Sequence, residues 1–182
     1  GSAAGGREAI LGVHWQVTVP DRDLEGWALR FSGECGASRF VHETPLRFTA
    51  GTCEITVPDA RLWWPRGYGE ASLYSVRTEL LRSGRVVDER TERIGLRRIE
   101  LIRTEVTTAA EPGEFLFLAN GVPIMCKGTN WVPLDAFHGR DAERLPMALA
   151  LLDDIGCTIV RCWGGNVYED HAFFDFCDEK GI

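Results

Sequence analysis

Residues 141–163 have the sequence DAERLPMALALLDDIGCTIVRCW, in which a helical pattern is followed by the pattern of a buried strand. Its first part carries apolar residues at the spacing of one helical face, which predicts a helix. Pro146 fits only in the first turn of a helix, so we expect the regular helix to begin near it and to end at Gly156. Residues 157–163 continue without alternation, the pattern of a parallel strand buried on both sides. The predicted helical face consists of Leu145, Leu149, Leu152 and Ile155.

The pattern extends on both sides of this stretch. Upstream, residues 125–130 end in a short strand, and downstream Asp170 is placed to cap a second helix that runs through Cys177 and ends at Gly181. Strand, helix, strand, helix is the order in which a (β/α)8 barrel begins, but a closed barrel takes about 250 residues. We therefore expect residues 104–182 to form the N-terminal part of an incomplete, truncated (β/α)8 barrel from a longer enzyme.

Residues 7–103 follow a different pattern. Apolar and polar residues alternate with a period of two, and turn-forming pairs such as Pro20-Asp21 and Ser83-Gly84 separate the runs. About seven short strands of this kind predict an immunoglobulin-like antiparallel β-sandwich. After it, Asn120-Gly121 joins two apolar runs, which predicts a two-residue β-hairpin. The expected architecture is β-rich with an α/β tail.

Composition and charge exclude several classes of function. The chain has 20 Lys and Arg residues against 27 Asp and Glu residues, a net charge of −7, and its basic residues are scattered, so we expect no nucleic-acid partner. No apolar run approaches the roughly 20 residues that cross a bilayer, and no targeting signal is recognisable, so we expect no membrane partner. A parent protein in the cytoplasm or the periplasm is consistent with this pattern.

The cysteines indicate neither a metal site nor a cofactor. None of the six lies in a Cys-x-x-Cys motif or has a histidine at zinc-ligand spacing. Cys35 and Cys53 could bridge two strands of the sandwich, but their apolar flanks favour buried free thiols. A parallel pair of strands with an unpaired edge would expose backbone donors, which predicts self-association through the barrel edge.

Three stretches resemble glycoside hydrolase family 2, which contains β-galactosidases, β-glucuronidases and β-mannosidases. The sequence LWWPRGYG at residues 62–69, with IGLR at 94–97, resembles the sandwich motif and last sandwich strand of these enzymes. The sequence NGVPI at 120–124, followed by KGTNWVP at 127–133, resembles the entry into their barrel. The sequence VRCWGGNVYE at 160–169 resembles the second barrel strand and the loop after it. Asn130-Trp131 and Trp163-Gly164-Gly165 are most similar to the β-mannosidase branch, although Cys162 and Asn166 depart from its common pattern.

The resemblance implies a retaining mechanism whose two acids lie outside this sequence. Retaining glycosidases use two carboxyl groups about 5–5.5 Å apart, and in this family both are glutamates after barrel strands four and seven. We therefore expect no catalytic residue among these 182 and no turnover by the chain alone. The acids that are present have structural explanations: Asp170 as a helix cap, Asp153 and Asp154 on a solvated helix face, and Asp135 in a loop.

The resemblance also implies that four residues line part of a sugar pocket: Asn130, Trp131, Arg161 and Trp163. Arg161 would hold the nucleophilic carboxylate, or else make only a packing or surface contact. The indole of Trp163 would stack on a pyranose ring, or belong to the core. Asn130 suits hydrogen bonding to sugar hydroxyls, but it could equally stabilise a turn.

Other residues of the same motifs have two interpretations each. Gly164 and Gly165 would let the backbone turn and a sugar approach closely. Tyr168 and Glu169 would line the rim, or Glu169 would only favour the helix dipole. For Trp63 and Trp64 we favour aromatic packing at a domain interface.

Three hypotheses for function remain open on the sequence. The first is part of an exo-acting β-mannosidase-like hydrolase that binds a β-mannoside. The second is an autonomous β-sandwich module that binds carbohydrate or protein, and the third is a β-galactosidase or β-glucuronidase of the same family. A buried strand at residues 159–161 favours an enzyme over a module, because a binding module does not need one.

Overall fold

The computed structural model describes residues 7–20, 23–165 and 167–182. Asp21, in one predicted turn, and Asn166 lie outside the described residues. The described chain forms two compact units, one comprising the residues up to Arg61 with Leu73–Leu96 and the other Leu62–Ser72 with Arg97–Ile182. This division differs from the predicted boundary at residue 103, because residues 62–72 and 97–103 group with the second unit.

Among its described residues, the first unit contains six strands arranged in two antiparallel sheets. Strands β1 and β4 pair with each other, and the other four form a sheet in the order β3-β2-β5-β6. The predicted antiparallel β-sandwich is confirmed at this level. The strands are β1 (Ala9–Gln16), β2 (Trp27–Cys35), β3 (Ser38–Pro45), β4 (Ala50–Val57), β5 (Tyr74–Arg82) and β6 (Arg85–Ile94).

Alternation along these strands builds the core of the first unit. In β2, residues at every second position are buried, because successive side chains of a strand point to opposite faces. The buried hydroxyl of Tyr74 donates to Ser38 Oγ at 2.7 Å and accepts from the Arg61 N–H at 2.9 Å. This pairing satisfies a polar group in the core. The apolar core residues are Trp27, Leu29, Phe31, Phe40, Leu46, Ile55, Val57, Leu81 and Leu96.

A buried carboxylate on the four-stranded sheet is held by two arginines. Glu79 is 4% exposed. Its Oε2 accepts from Arg30 Nε at 2.7 Å, and its Oε1 lies 3.5 Å from Arg77 Nη2. The hydrogen bond from Arg30 is the main cause that lowers the pKa of Glu79, opposed by burial and assisted by the charges of both arginines.

The second unit begins with a three-stranded antiparallel sheet in the order β7-β8-β9. Asn120 and Gly121 form the turn between β8 and β9 with φ of 51° and 80°, so the predicted hairpin is confirmed. The Asn120 side-chain oxygen accepts from the Arg98 N–H at 3.0 Å, which ties the turn to the chain before β7. The strands are β7 (Ile99–Arg103), β8 (Phe115–Ala119) and β9 (Val122–Ile124).

Strand, helix, strand and helix follow in the predicted order. Strand β10 (Gly128–Trp131) pairs in parallel with β11 (Ile159–Cys162), and helix α1 (Asp141–Asp154) connects them after a short 3-10 helix, His138–Arg140. Helix α2 (His171–Lys180) comes after β11. Among the described residues, none of the helices has the length and apolar character needed to span a membrane.

Two details of this region differ from the sequence predictions. Helix α1 begins at Asp141 and contains Pro146 inside it, so the prediction of a start near Pro146 was wrong. Pro146 is the sixth residue of α1, where it removes one backbone N–H from the helix and crowds the preceding turn, and the helix nevertheless continues to Asp154. Residues of β11 are half-buried or exposed, so this strand is not covered on both sides. The predicted end at Gly156 is confirmed, with φ of 69°.

The core of the second unit lies between the parallel strands and the two helices. Trp131 of β10 packs on Phe173 of α2, with ring centroids 4.9 Å apart. Leu149 and Leu152 of α1 join the same cluster, as do Cys157 and Cys177. The core therefore fixes one face of the β10–β11 sheet against helices and leaves its other face available.

Candidate functional site

The carboxyl ends of β10 and β11 bring two of the predicted site residues together. Asn130 and Arg161 are partners in the parallel register, and both are exposed. Arg161 Nη1 donates to Asn130 Oδ1 at 3.2 Å. A guanidinium has five N–H donors in a planar fork, so Arg161 can bind a carboxylate as well as this amide. The pair forms a polar edge that could hold an anion or a hydroxylated ligand.

Trp131 lies on the opposite face of the sheet from this pair. It is 4% exposed, in the core with Phe173, and its Nε1 donates to Glu169 Oε1 at 2.8 Å. Side chains alternate along a strand, so Asn130 and Trp131 lie on opposite faces of β10. Trp131 packs on Phe173 and binds Glu169, and its direct contact with a sugar stays a prediction.

Trp163 follows β11 directly and presents an indole at the surface. It is 48% exposed, and its backbone N–H donates to the Trp131 carbonyl at 3.0 Å, which extends the parallel pairing by one residue. A side-chain carbon at Gly165 would overlap the Trp163 ring, so a larger residue there would force the indole to move. An accessible aromatic surface therefore lies two residues after Arg161.

Glu169 connects the loop after β11 to the end of β10. Its carboxylate accepts the buried Trp131 N–H. Besides the predicted rim and dipole roles, Glu169 therefore has a third role, which is to link the chain just before Asp170 to the end of β10. The two residues are 38 apart in sequence, so no local pattern points to this bond. Tyr168, at 97% exposed, projects into solvent beside it.

The thiols near this edge are poor nucleophiles. Burial is the main cause that raises the pKa of Cys162, and the negative charge of Glu169 raises it further. Burial likewise raises the pKa of Cys177 to about 11, with smaller contributions from Asp178 and Cys162. Both side chains are therefore protonated near neutral pH, and thiolate chemistry is disfavoured here.

The acidic residues assigned structural roles have the following environments. Asp170 is the N-cap residue of α2, but its side chain makes no capping hydrogen bond, so the predicted side-chain cap is wrong; its carbonyl instead accepts from the Phe173 N–H at 3.0 Å. Asp153 is not a simply solvated residue, because its carboxylate pairs with Lys180 at 2.7 Å and with Arg66. Asp135 lies 3.3 Å from Arg144. Within the described ranges, no three His, Cys, Asp or Glu side chains are grouped to hold a metal ion.

An open cleft of about 690 Å³ lies on the helical side of the sheet. It is lined by Leu145 and Leu149 of α1, by Phe176 of α2, and by the loop residues Tyr168 and Glu169. Asn130, Arg161 and Trp163 do not line it. The cleft and the predicted sugar edge are therefore separate features that share Glu169 as a neighbour.

Known proteins match this chain in sequence. Residues 17–97 match the model of Glycosyl hydrolases family 2. The chain is 38% identical over 159 residues to "Beta-mannosidase B" of Thermothelomyces thermophilus, covering 85% of this chain and 18% of that protein. It is 34% identical over 122 residues to "Beta-mannosidase" of Capra hircus, covering 66% of this chain and 14% of that protein.

Solved structures of glycosidases share the fold of this chain. The β-D-mannosidase from Dictyoglomus thermophilum superposes with a TM-score of 0.71 at 28% identity, covering 100% of this chain and 22% of that one. A putative β-galactosidase from Bacteroides fragilis reaches a TM-score of 0.73 at 19% identity, covering 99% of this chain and 26% of that one, which shows a shared fold alone.

These matches make the chain similar to glycoside hydrolase family 2. Within that family it is similar to β-mannosidases of fungi and mammals. The chain spans less than a fifth of the length of the curated relatives it matches.

Proposed function

We propose that this chain supplies an immunoglobulin-like sandwich and the first two βα units of a (β/α)8 barrel to a retaining, exo-acting β-mannosidase-like hydrolase. Its substrate is a carbohydrate with a terminal β-mannoside. The observation that carries the proposal is the Asn130–Arg161 pair at the carboxyl ends of two parallel strands, the end at which barrel enzymes hold their active sites. The similarity to β-mannosidases supports the choice of sugar.

In this proposal the residues of the edge bind and orient, and they do not transfer protons. Arg161 holds the nucleophilic glutamate that a later strand provides, through a charge-assisted hydrogen bond, while Asn130 fixes the guanidinium at 3.2 Å. The exposed Trp163 indole supports the apolar face of the sugar ring. Both catalytic carboxyls come from polypeptide outside these 182 residues, so the chain alone hydrolyses no glycoside.

The test joins residues 1–182 to the rest of a β-mannosidase relative in place of the matching region. We expect this chimera to hydrolyse an aryl β-mannoside and the isolated chain to be inactive. Trp163→Ala should raise KM about threefold to tenfold, from the loss of roughly 0.5–1.5 kcal/mol of ring packing. Phe48→Ala is the control, since Phe48 is an exposed aromatic residue of the first unit and is not one of the predicted site residues.

Other outcomes would support the alternatives. Faster hydrolysis of an aryl β-galactoside or β-glucuronide would change the sugar while keeping the family. Saturable mannose binding by the 182-residue chain that is unaffected by Trp163→Ala and Asn130→Ala would favour an autonomous binding module.

A further inference from the structure

Residues 62–72, which we call the WPR segment, are in sequence between β4 and β5 but belong to the second unit. Trp63 and Ala71 form an antiparallel bridge, and the Trp64 N–H donates to the Glu70 carbonyl at 3.0 Å. The Tyr68 N–H donates to the Pro65 carbonyl at 3.0 Å across a turn in which Gly67 has φ of 83°. The segment is thus a small folded hairpin with Arg66 at its tip.

The WPR segment satisfies carbonyl groups at the end of α2. Trp63 Nε1 donates to the Asp178 carbonyl at 2.7 Å. The backbone N–H of Arg66 donates to the Gly181 carbonyl at 2.8 Å, and its Nε donates to the Lys180 carbonyl at 3.3 Å. The last four carbonyls of a helix have no partner within the helix, so these donors act as a C-cap supplied from a distant part of the chain.

The same arginine binds the end of α1. Arg66 Nη1 donates to the Asp153 carbonyl at 2.8 Å, and Nη2 pairs with the Asp153 carboxylate, which Lys180 also contacts at 2.7 Å. The hydrogen bonds from Lys180 and then Arg66 lower the pKa of Asp153. A cation at the carboxyl end of a helix also complements the helix dipole. One guanidinium therefore bridges the ends of both helices.

Three further contacts hold the WPR segment from its other side. The Arg97 guanidinium lies 4.5 Å from the Trp63 ring centroid and 3.3 Å from the Asp178 carboxylate. Asn120 Nδ2 donates to the Trp63 carbonyl at 3.0 Å. The Tyr68 hydroxyl accepts the Met125 N–H at 2.6 Å, directly after β9.

We propose that the paired carboxyl ends of α1 and α2 form a binding surface for a cationic Trp-Pro-Arg segment, occupied by residues 62–72 of the same chain. The carbonyls of Asp153, Lys180 and Gly181 supply its acceptors, and the carboxylates of Asp153 and Asp178 supply its charge. Arg66 holds the two helices together at this end because its fork reaches both. The proposal does not depend on the identity of the sugar.

Two glycines provide a matched test in the full chain. Gly156 and Gly181 end α1 and α2 with φ of 69° and 71°, so alanine suffers the same left-handed backbone penalty at both. A methyl group at Gly181 would lie 2.7 Å from the Arg66 nitrogen and 3.1 Å from the Trp64 carbonyl, whereas no heavy atom lies within 4 Å at Gly156. Gly181→Ala should therefore accelerate amide hydrogen exchange at the ends of both helices, and Gly156→Ala at α1 alone.

Arginine variants test the charge and the fork. We expect Arg66→Met to accelerate exchange of the amides at 155–157 and 181–182 by about tenfold or more, because bonds to charged groups are lost. Arg66→Lys should restore only part of the protection, because an ammonium cannot span both helix ends as a fork. Arg103→Met, at an exposed arginine of the same unit, is the control.

The outcomes are decisive in either direction. The proposal would be overturned if Gly181→Ala and Gly156→Ala changed the amide exchange rates of α2 equally. It would also be overturned if the amides at 155–157 and 181–182 exchanged at the same rate in Arg66→Met as in Arg103→Met. If Arg66→Met does not fold, the glycine pair and Arg66→Lys still decide. Combining Arg66→Met with Asp153→Asn should cost less than the sum of the two single changes, since both remove the pair between Arg66 and the Asp153 carboxylate.

Discussion

Replacing Glu169 by alanine leaves the indole N–H of Trp131 without its acceptor. Trp131 is 4% exposed, and its N–H donates to Glu169 at 2.8 Å, so the loss creates a buried unsatisfied donor. Such a group costs about 1–3 kcal/mol. We expect Glu169→Ala to lower the free energy of unfolding of the second unit by this amount and to accelerate exchange of the Trp131 indole proton. Glu169→Gln keeps an acceptor oxygen and should cost less than about 1 kcal/mol.

A double-mutant cycle separates this bond from general damage. Trp131→Phe removes the donor, so Glu169→Ala in that background should have little further effect on the free energy of unfolding. Urea denaturation monitored by far-UV circular dichroism gives the four values. A coupling energy below about 0.5 kcal/mol, the usual limit of additivity, would refute the reasoning.

A thiol reports on the same carboxylate independently. The charge of Glu169 contributes to the raised pKa of Cys162, so Glu169→Gln should lower that pKa and speed alkylation of Cys162 by iodoacetamide at a fixed pH. Cys53 is the control, because burial alone raises its pKa and Glu169 makes no contribution there. Unchanged alkylation of Cys162 would show that the carboxylate does not act on the thiol.

Three further measurements test other parts of the fold. Arg30 lowers the pKa of Glu79, so the stabilisation from this carboxylate is present above the ordinary glutamate pKa and is lost as the pH falls through the lowered value. Glu79→Gln should therefore weaken the loss of unfolding free energy at acid pH, measured by urea denaturation at a series of pH values. A variant whose unfolding free energy falls with pH as steeply as that of the unaltered protein would contradict this. Phe173→Ala should cost about 3–5 kcal/mol in urea denaturation, and a loss below about 1 kcal/mol would show that the core repacks. The β10–β11 pair is a two-stranded sheet with unpaired edges, so we expect chains to associate through it. The average molar mass measured by light scattering should then rise with protein concentration, and a constant monomer mass would argue against self-association.

Local chemistry made several features predictable. Asn120-Gly121 specified its hairpin because both residues tolerate positive φ, and Gly156 specified the end of α1 for the same reason. The alternation of the first hundred residues identified an antiparallel sandwich, since one buried face imposes a period of two. These signals act within a few residues, and a sequence displays them directly.

Features that depend on distant contacts were not predictable in this way. The Arg66 contact with Asp153 joins residues 87 apart in sequence, and no local pattern announces it. Asp153 was therefore assigned to a solvated helix face, and Trp63 to an interface of unspecified partner. Trp131 is a different case, because alternation along β10 already places it opposite Asn130, and a period-two analysis of the pair would have put it in the core.

The WPR segment has a consequence for the modular history of such enzymes. The second unit takes residues 62–72 from the middle of the first unit's sequence, so no single crossover point in the gene separates the two. Recombination that exchanged only residues 97–182 would combine α1 and α2 from one parent with the WPR segment of another. Residues 62–72 and 97–182 should consequently be inherited together, and shuffled libraries should recover active enzymes mainly when both pieces come from one parent.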